Sequence, residues 1–229
     1  MNQESFGSKF RTWKNQYIDL VESKTDKIIS LVTDTPSPEH LENLRSRIKP
    51  YASVFCEIGP GSGGHLIELA ARNPAAAYVG FELRFKRAFK TVEKSERRVA
   101  INLFVVRANA TTMKTFFAPN SLAGIYVNFP DPWSKKHWKK NRILNPGFLE
   151  TLHSLLIVGG FLSYKTDHAE YFEETLECVR KMPSFSVRKL SRDLYSSEFI
   201  SENVPTEFEN LFKSQGLKIN FMEAVKLGN

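Results

Sequence analysis

The chain has 229 residues, with 32 Lys and Arg against 25 Asp and Glu, for a formal net charge of +7. Hydrophobic residues make up 41% and charged residues 25%, proportions that exclude a disordered tail, a collagen-like repeat and a disulfide scaffold, and the length suggests one large domain. The longest apolar run, Leu155 to Leu162, falls far short of the roughly twenty residues of a membrane helix. No leader-like start is present, and Cys56 and Cys178 are too isolated for a zinc site. A cytoplasmic protein without metal is expected, and the basic excess favours a polyanionic partner.

Residues 4–32 mix polar and aromatic side chains (Phe6, Phe10, Trp13, Tyr17) and read as a helix or a partly ordered arm. Residues 1–35 are accordingly taken as an N-terminal arm and 36–229 as the main domain. After Pro36 and Pro38 a short helix is expected to about Lys49. Ser53 to Ile58 is a β-type run ending in a glycine cluster, and helical spacing follows from His65 to Arg72. Ala77–Phe81, Ile101–Arg107, Leu122–Asn128 and Gly160–Lys165 read as strands, and Arg84–Arg98, Pro146–Val158 and Ala169–Lys181 as helices. The tail offers a strand at Ser184–Leu190, a helix over about 206–215 and a last strand at Leu217–Glu223. Strands separated by such helices predict βαβ units, hence an α/β fold with a mostly parallel sheet and a mixed edge. Ligands of such sheets bind beyond the carboxyl ends of the strands.

The strand ends carry the chemistry. Glu57-Ile58-Gly59-Pro60-Gly61-Ser62-Gly63-Gly64 closes the first strand with glycines spaced as in a dinucleotide turn. Glu57 would repel a pyrophosphate, whereas S-adenosylmethionine brings an ammonium and a sulfonium and no phosphate. Glu82 ends the second strand, placed to accept from ribose hydroxyls. Asn109 ends the third and can either bond an adenine edge or cap the next helix. The fourth strand runs into Asn128-Phe129-Pro130-Asp131-Pro132-Trp133-Ser134-Lys135-Lys136-His137-Trp138-Lys139-Lys140-Asn141-Arg142. Two prolines fix the backbone on either side of Asp131, and the basic run interleaved with His137 and Trp138 suits phosphates and exposed bases. The basic face of the helix from Arg84 reads as solvated surface. Lys165-Thr166-Asp167 sets another acid at a strand end. Thr206 and Glu209 have capping-box spacing, and a substrate role is open to them as well. His40, His65 and His153 lack ligand spacing, so no metal is assigned.

In this order, Glu-Ile-Gly-x-Gly-x-Gly, Gly-Phe-Glu, Asn-Phe-Pro-Asp-Pro-Trp-x-Lys-Lys-His, Lys-Thr-Asp and Thr-x-Phe-Glu resemble the tRNA (guanine-N7)-methyltransferase family over roughly Val54 to Val225. The resemblance implies a Rossmann-like class I methyltransferase with a mostly parallel seven-stranded sheet and helices on both faces. It also implies S-adenosylmethionine as cofactor and a guanine of the tRNA variable loop as target. It places cofactor contacts at Glu57, Gly59, Gly61, Gly63, Glu82, Asn109 and Asp131, and substrate contacts at Lys135, Asp167, Thr206, Glu207, Phe208 and Glu209. RNA interaction falls on His137, Trp138, Lys139, Lys140, Asn141 and Arg142. Asp131 is expected to be catalytic, with Asp167 or Glu209 accepting from guanine N1–H and N2–H. The sequence departs from the family at Asn109, where an acid is common, at Asn141, where an arginine is usual, and at Leu211, often basic. A monomer or homodimer binding tRNA and no membrane is expected. Two other readings stay open: methylation of another RNA, and a non-catalytic RNA-binding module on the same fold.

Overall fold

The computed structural model describes residues 15–228; Phe6, Phe10 and Trp13 of the expected arm lie outside the described residues. The strands are β1 (Ile28–Ser30), β2 (Ser53–Ile58), β3 (Ala76–Phe81), β4 (Leu103–Arg107), β5 (Leu122–Asn128), β6 (Leu156–Thr166), β7 (Phe185–Ser191) and β8 (Asn220–Lys226). The helices are α1 (Tyr17–Glu22), α2 (Pro38–Ile48), α3 (Gly64–Arg72), α4 (Phe85–Arg97), α5 (Met113–Phe116), α6 (Pro146–Leu155), α7 (Ala169–Arg180) and α8 (Glu207–Ser214). They frame one sheet in the order β1-β4-β3-β2-β5-β6-β8-β7. Pairing is parallel from β1 to β6, and β8 runs antiparallel to both its neighbours.

Strict alternation on the inner strands explains why both faces are covered. Ala77, Val79 and Phe81 of β3 and Phe104 and Val106 of β4 pack into one cluster with Leu44, Met113, Leu149 and Phe172. Their neighbours Ala76, Tyr78, Leu103 and Val105 point the other way, onto Leu66, Ile67, Ala88 and Val92 of α3 and α4. Side chains two apart share a face of a strand, so a strand buried on both sides reads as continuously apolar. Helix starts follow local chemistry. Ser37 caps α2 ahead of Pro38, accepting from the His40 amide at 3.3 Å, and Asn145 caps α6 ahead of Pro146, accepting from the Phe148 amide at 3.1 Å.

Three expectations change. Among the described residues the sheet has eight strands rather than seven, because Ile28–Ser30 pairs with Val105–Arg107 and buries Ile28 and Ile29. Three residues are too few to show a period, so this segment carried no β signal. Helix α6 stops at Leu155, three residues before the expected Val158, since Leu156 already pairs with Leu122 across an irregularity of the β5–β6 ladder. The apolar run there satisfies either structure, and tertiary pairing decides it. Strand β8 begins at Asn220 rather than Leu217, opposite Thr166.

Candidate active site

Strand order reverses at β2, whose successor β3 lies on one side while β5 lies on the other. The crevice above such a point is where open α/β sheets bind ligands. The glycine turn occupies it. Gly59, Gly61 and Gly63 have φ of +67°, +60° and +82°, conformations that side-chain-bearing residues rarely adopt. A Cβ on Gly59 or Gly61 would meet nothing within 4 Å, so the space over the turn is open. At Gly63 a Cβ would come within 2.5 Å of Thr91, whose buried hydroxyl donates to Gly61 O at 3.1 Å and so fixes the turn from α4.

Glu82 stands beside the turn, 4% exposed, accepting from the Gly61 amide at 3.2 Å and the Arg84 amide at 2.8 Å. Burial pushes its carboxyl above the usual range, against the Arg84 amide bond and the nearby Arg87 charge. An acid at the end of the second motif strand, next to open space over a glycine turn, fits the ribose and sulfonium of S-adenosylmethionine. Asn109 caps the 3-10 turn Ala110–Thr112, its Oδ1 accepting from the Thr111 amide at 3.1 Å. Its Nδ2 group has no partner among the described residues.

Glu57 lies deeper than expected. It is 2% exposed; Asn128 Nδ2 donates to its Oε1 at 2.8 Å, and His65 Nδ1 sits 3.1 Å from its Oε2. His65 and Asn128 were not singled out from the sequence. The available signal is position, since His65 follows the glycine turn directly and Asn128 ends the strand beside β2.

Asp131 is exposed and has no hydrogen-bond or ion-pair partner among the described residues. The prolines are only part of what holds it. Phe129 (φ +49°) and Trp133 (φ +44°) flank it in the left-handed region, a costly conformation for non-glycine residues. The Phe129 amide donates to Lys165 O at 2.8 Å, and Arg142 Nε donates to Pro132 O at 2.7 Å. Beyond it, Trp133 and Trp138 meet edge to face with centroids 6.0 Å apart, and Lys135 Nζ lies 4.7 Å over the Trp138 ring. Lys135, Lys136, His137, Lys140 and Asn141 are exposed.

Two members of the basic run do something else. Arg142 is 4% exposed, ion-paired with Glu174 and Glu170 and seated 4.7 Å over Tyr171. Lys139 bridges Glu174 at 3.0 Å and also Glu170. Charge counting cannot see these partners, because both acids come from α7. Arg142, expected to contact RNA, instead turns its guanidinium inward here and braces the Asp131 loop.

Asp167 is half-buried at the end of β6 with no polar partner among the described residues. Thr206 and Glu209 do form a capping box, with the Glu209 amide donating to Thr206 Oγ1 at 2.9 Å. Glu209 is wholly buried. Its Oε2 takes Lys165 Nζ at 2.6 Å, and its Oε1 takes the Tyr195 hydroxyl at 3.0 Å and the Asn203 amide. Burial pulls the Lys165 ammonium below its usual range, opposed by Glu209, and pushes Tyr195 up to about 12, so the phenol remains a donor. Both oxygens of Glu209, expected as an alternative to Asp167 for the guanine edge, are thus engaged within the chain. Glu207 lies on the glycine turn, 2.9 Å from Lys94 and accepting from the Ser62 hydroxyl. Phe208 is exposed at the start of α8. Among the described residues no cluster of His, Cys, Asp and Glu could hold a metal, and no helix is long and apolar enough to cross a membrane.

A doubly covered parallel sheet with an antiparallel edge, a glycine turn at the switch point and acids at successive strand ends defines a methyltransferase of class I. Solved structures agree on the fold: a 16S rRNA methyltransferase, KamB, matches 88% of this chain and 99% of its own at a TM-score of 0.61 and 14% identity. Residues 51–222 match the family described as "Putative methyltransferase". A tRNA (guanine-N(7)-)-methyltransferase of Mycoplasma pneumoniae is 35% identical over 202 residues, 86% of this chain and 94% of that one. A bifunctional glycosyltransferase/methyltransferase of Fusobacterium nucleatum is 38% identical over 175 residues, but the chain spans only 27% of that protein's length. The chain belongs to the tRNA (guanine-N7)-methyltransferase family.

Proposed function

We propose that the chain transfers a methyl group from S-adenosylmethionine to N7 of a guanine in the tRNA variable loop. One observation carries the reading: Asp131, exposed and without a hydrogen-bond or ion-pair partner among the described residues, follows β5 beside the switch-point strand β2 and leads into an exposed basic, aromatic loop. When bound, S-adenosylmethionine supplies a methyl group on a positively charged sulfur. Gly59, Gly61 and Gly63 let the backbone approach it, Glu82 accepts from the ribose, and Asn109 Nδ2 donates to the adenine. Glu57, its oxygens already engaged by His65 and Asn128, contributes negative potential beneath the site.

Guanine N7 has an in-plane lone pair and needs no base to remove a proton. The protein's task is alignment of nucleophile and methyl, which is proximity catalysis. As the N7–methyl bond forms and the methyl–sulfur bond breaks, its electron pair would return to sulfur to leave S-adenosylhomocysteine, and the positive charge now on the purine would be stabilised by the Asp131 carboxylate. Asp167 accepts from the guanine N1–H and N2–H edge. Lys135, Lys136 and Lys140 meet phosphates, while Trp138 and Phe208 offer faces for unstacked bases. Extruding the guanine costs least in an already irregular loop.

The test is direct. Incubated with labelled S-adenosylmethionine and bulk tRNA, the protein should yield labelled 7-methylguanosine, and transcripts lacking the variable-loop guanine should stay unlabelled. Label in another nucleoside, or none, refutes the assignment.

A further inference from the structure

The Lys165–Glu209 pair is the most completely buried ion pair among the described residues, with side chains 3% and 0% exposed, and no step above uses it. Each proton of the ammonium has an acceptor: Glu209 Oε2 at 2.6 Å, Val204 O at 2.9 Å and Asn203 Oδ1 at 3.0 Å. Glu209 in turn holds Tyr195, Asn203 and the Thr206 amide at the start of α8. The same Lys165 accepts the Phe129 amide on its carbonyl, and the Phe212 ring of α8 lies 5.4 Å from that of Phe129. Two residues after Lys165 comes Asp167. The pair thus joins the end of β6 to the helix whose first residue rests on the glycine turn, and the Asp131 loop leans on both, through the Lys165 carbonyl and the Phe129–Phe212 contact.

We propose that Lys165 and Glu209 are positioning residues for the acceptor side of the reaction. Their bonds set where α8, Asp167 and the Asp131 loop stand relative to one another. An apolar pair of similar volume can match or exceed a buried ion pair in stability. What it cannot supply is direction, whereas three N–H bonds aimed at a loop and a helix fix both at once. The cofactor side has supports of its own: α8 meets the glycine turn through Glu207, while the turn and Glu82 are also held by α4, the Gly61 amide and the Arg84 amide.

This inference rests on the proposed methyl transfer to tRNA, so its test includes a readout that needs no substrate. In the double variant Lys165→Met/Glu209→Leu, we expect a folded protein whose affinity for S-adenosylhomocysteine changes by less than about 10-fold, and faster amide hydrogen exchange across α8. Single-turnover methylation of tRNA should fall about 100-fold, the scale expected of a misplacement of about 1 Å. If the double variant does not fold, Glu209→Asp keeps the charge and withdraws the carboxylate by one methylene, and the same split is expected of it. Unchanged α8 exchange in a folded variant overturns the proposal, and so does a wild-type methylation rate in that variant. Failure of the wild-type protein to methylate tRNA instead refutes the functional reading, and α8 exchange still decides the clamp.

Discussion

Gly63 offers the sharpest quantitative test of how the glycine turn is built. An alanine there must adopt a φ near +82°, which costs an L-residue about 1–2 kcal/mol. Its Cβ also lands 2.5 Å from Thr91 Cγ2 and 2.9 Å from Oγ1, and Thr91 is fully buried. Overpacking of this kind typically adds about 1–3 kcal/mol. Gly63→Ala should therefore destabilise by about 2–5 kcal/mol in urea unfolding, the sum of these two costs. Because Thr91 tethers Gly61 O, displacing it should also weaken S-adenosylhomocysteine binding in calorimetry. Thr91→Ser removes the nearest clashing atom and keeps the hydroxyl. Alone it should cost about 1 kcal/mol for a lost buried methyl, but in the Gly63→Ala background it should recover part of the loss, the backbone cost of the positive φ remaining. The cycle then shows a coupling of at least about 1 kcal/mol. Strict additivity, or a Gly63→Ala protein as stable as wild type, refutes this account. Gly61→Ala is the control: with nothing within 4 Å, it should cost only the backbone term of about 1–2 kcal/mol yet place a methyl in the cofactor space and abolish binding.

Asp131→Asn should leave cofactor affinity intact and lower the single-turnover rate by about 100- to 1000-fold, the range seen when one electrostatic stabiliser is removed; a near-normal rate would take Asp131 out of this role. Glu82 holds its proton to higher pH in the folded chain than in the unfolded one, because burial raises its pKa. The stability from that proton is complete below the ordinary carboxylate range and is lost as pH rises through the folded pKa. Glu82→Gln should thus melt higher than wild type at pH 8, lose that advantage in acid, and bind cofactor poorly throughout; an equal melting temperature at pH 8 contradicts the assignment. Salt dependence should report fewer phosphates than the basic run suggests. With Lys139 and Arg142 tied to α7, about three contacts remain, and log K against log salt should slope roughly −2 to −3; a slope near −4.5 would mean the α7 pairs open on binding.

Much of this protein is legible in its sequence because local chemistry dictates it. The βα rhythm, the glycine turn, the capping residues of α2, α6 and α8 and the proline-framed aspartate each depend on neighbours a few residues away, and each forms as its local pattern requires. Those patterns also placed the strand-end acids at one edge of a parallel sheet, where Glu82, Asp131 and Asp167 stand. What the tertiary structure alone decided is which charges are free. Arg142 and Lys139 look identical in sequence to Lys136 and Lys140, yet two acids of α7, some thirty residues on, take them out of solvent or neutralise them. Glu209 reads as a capping-box acid open to substrate until Lys165, 44 positions earlier, is found against it. The three-residue β1 exists only because β4 offers it an edge. A charge or a short strand carries no local mark of its distant partner, and desolvation by that partner is what sets its role.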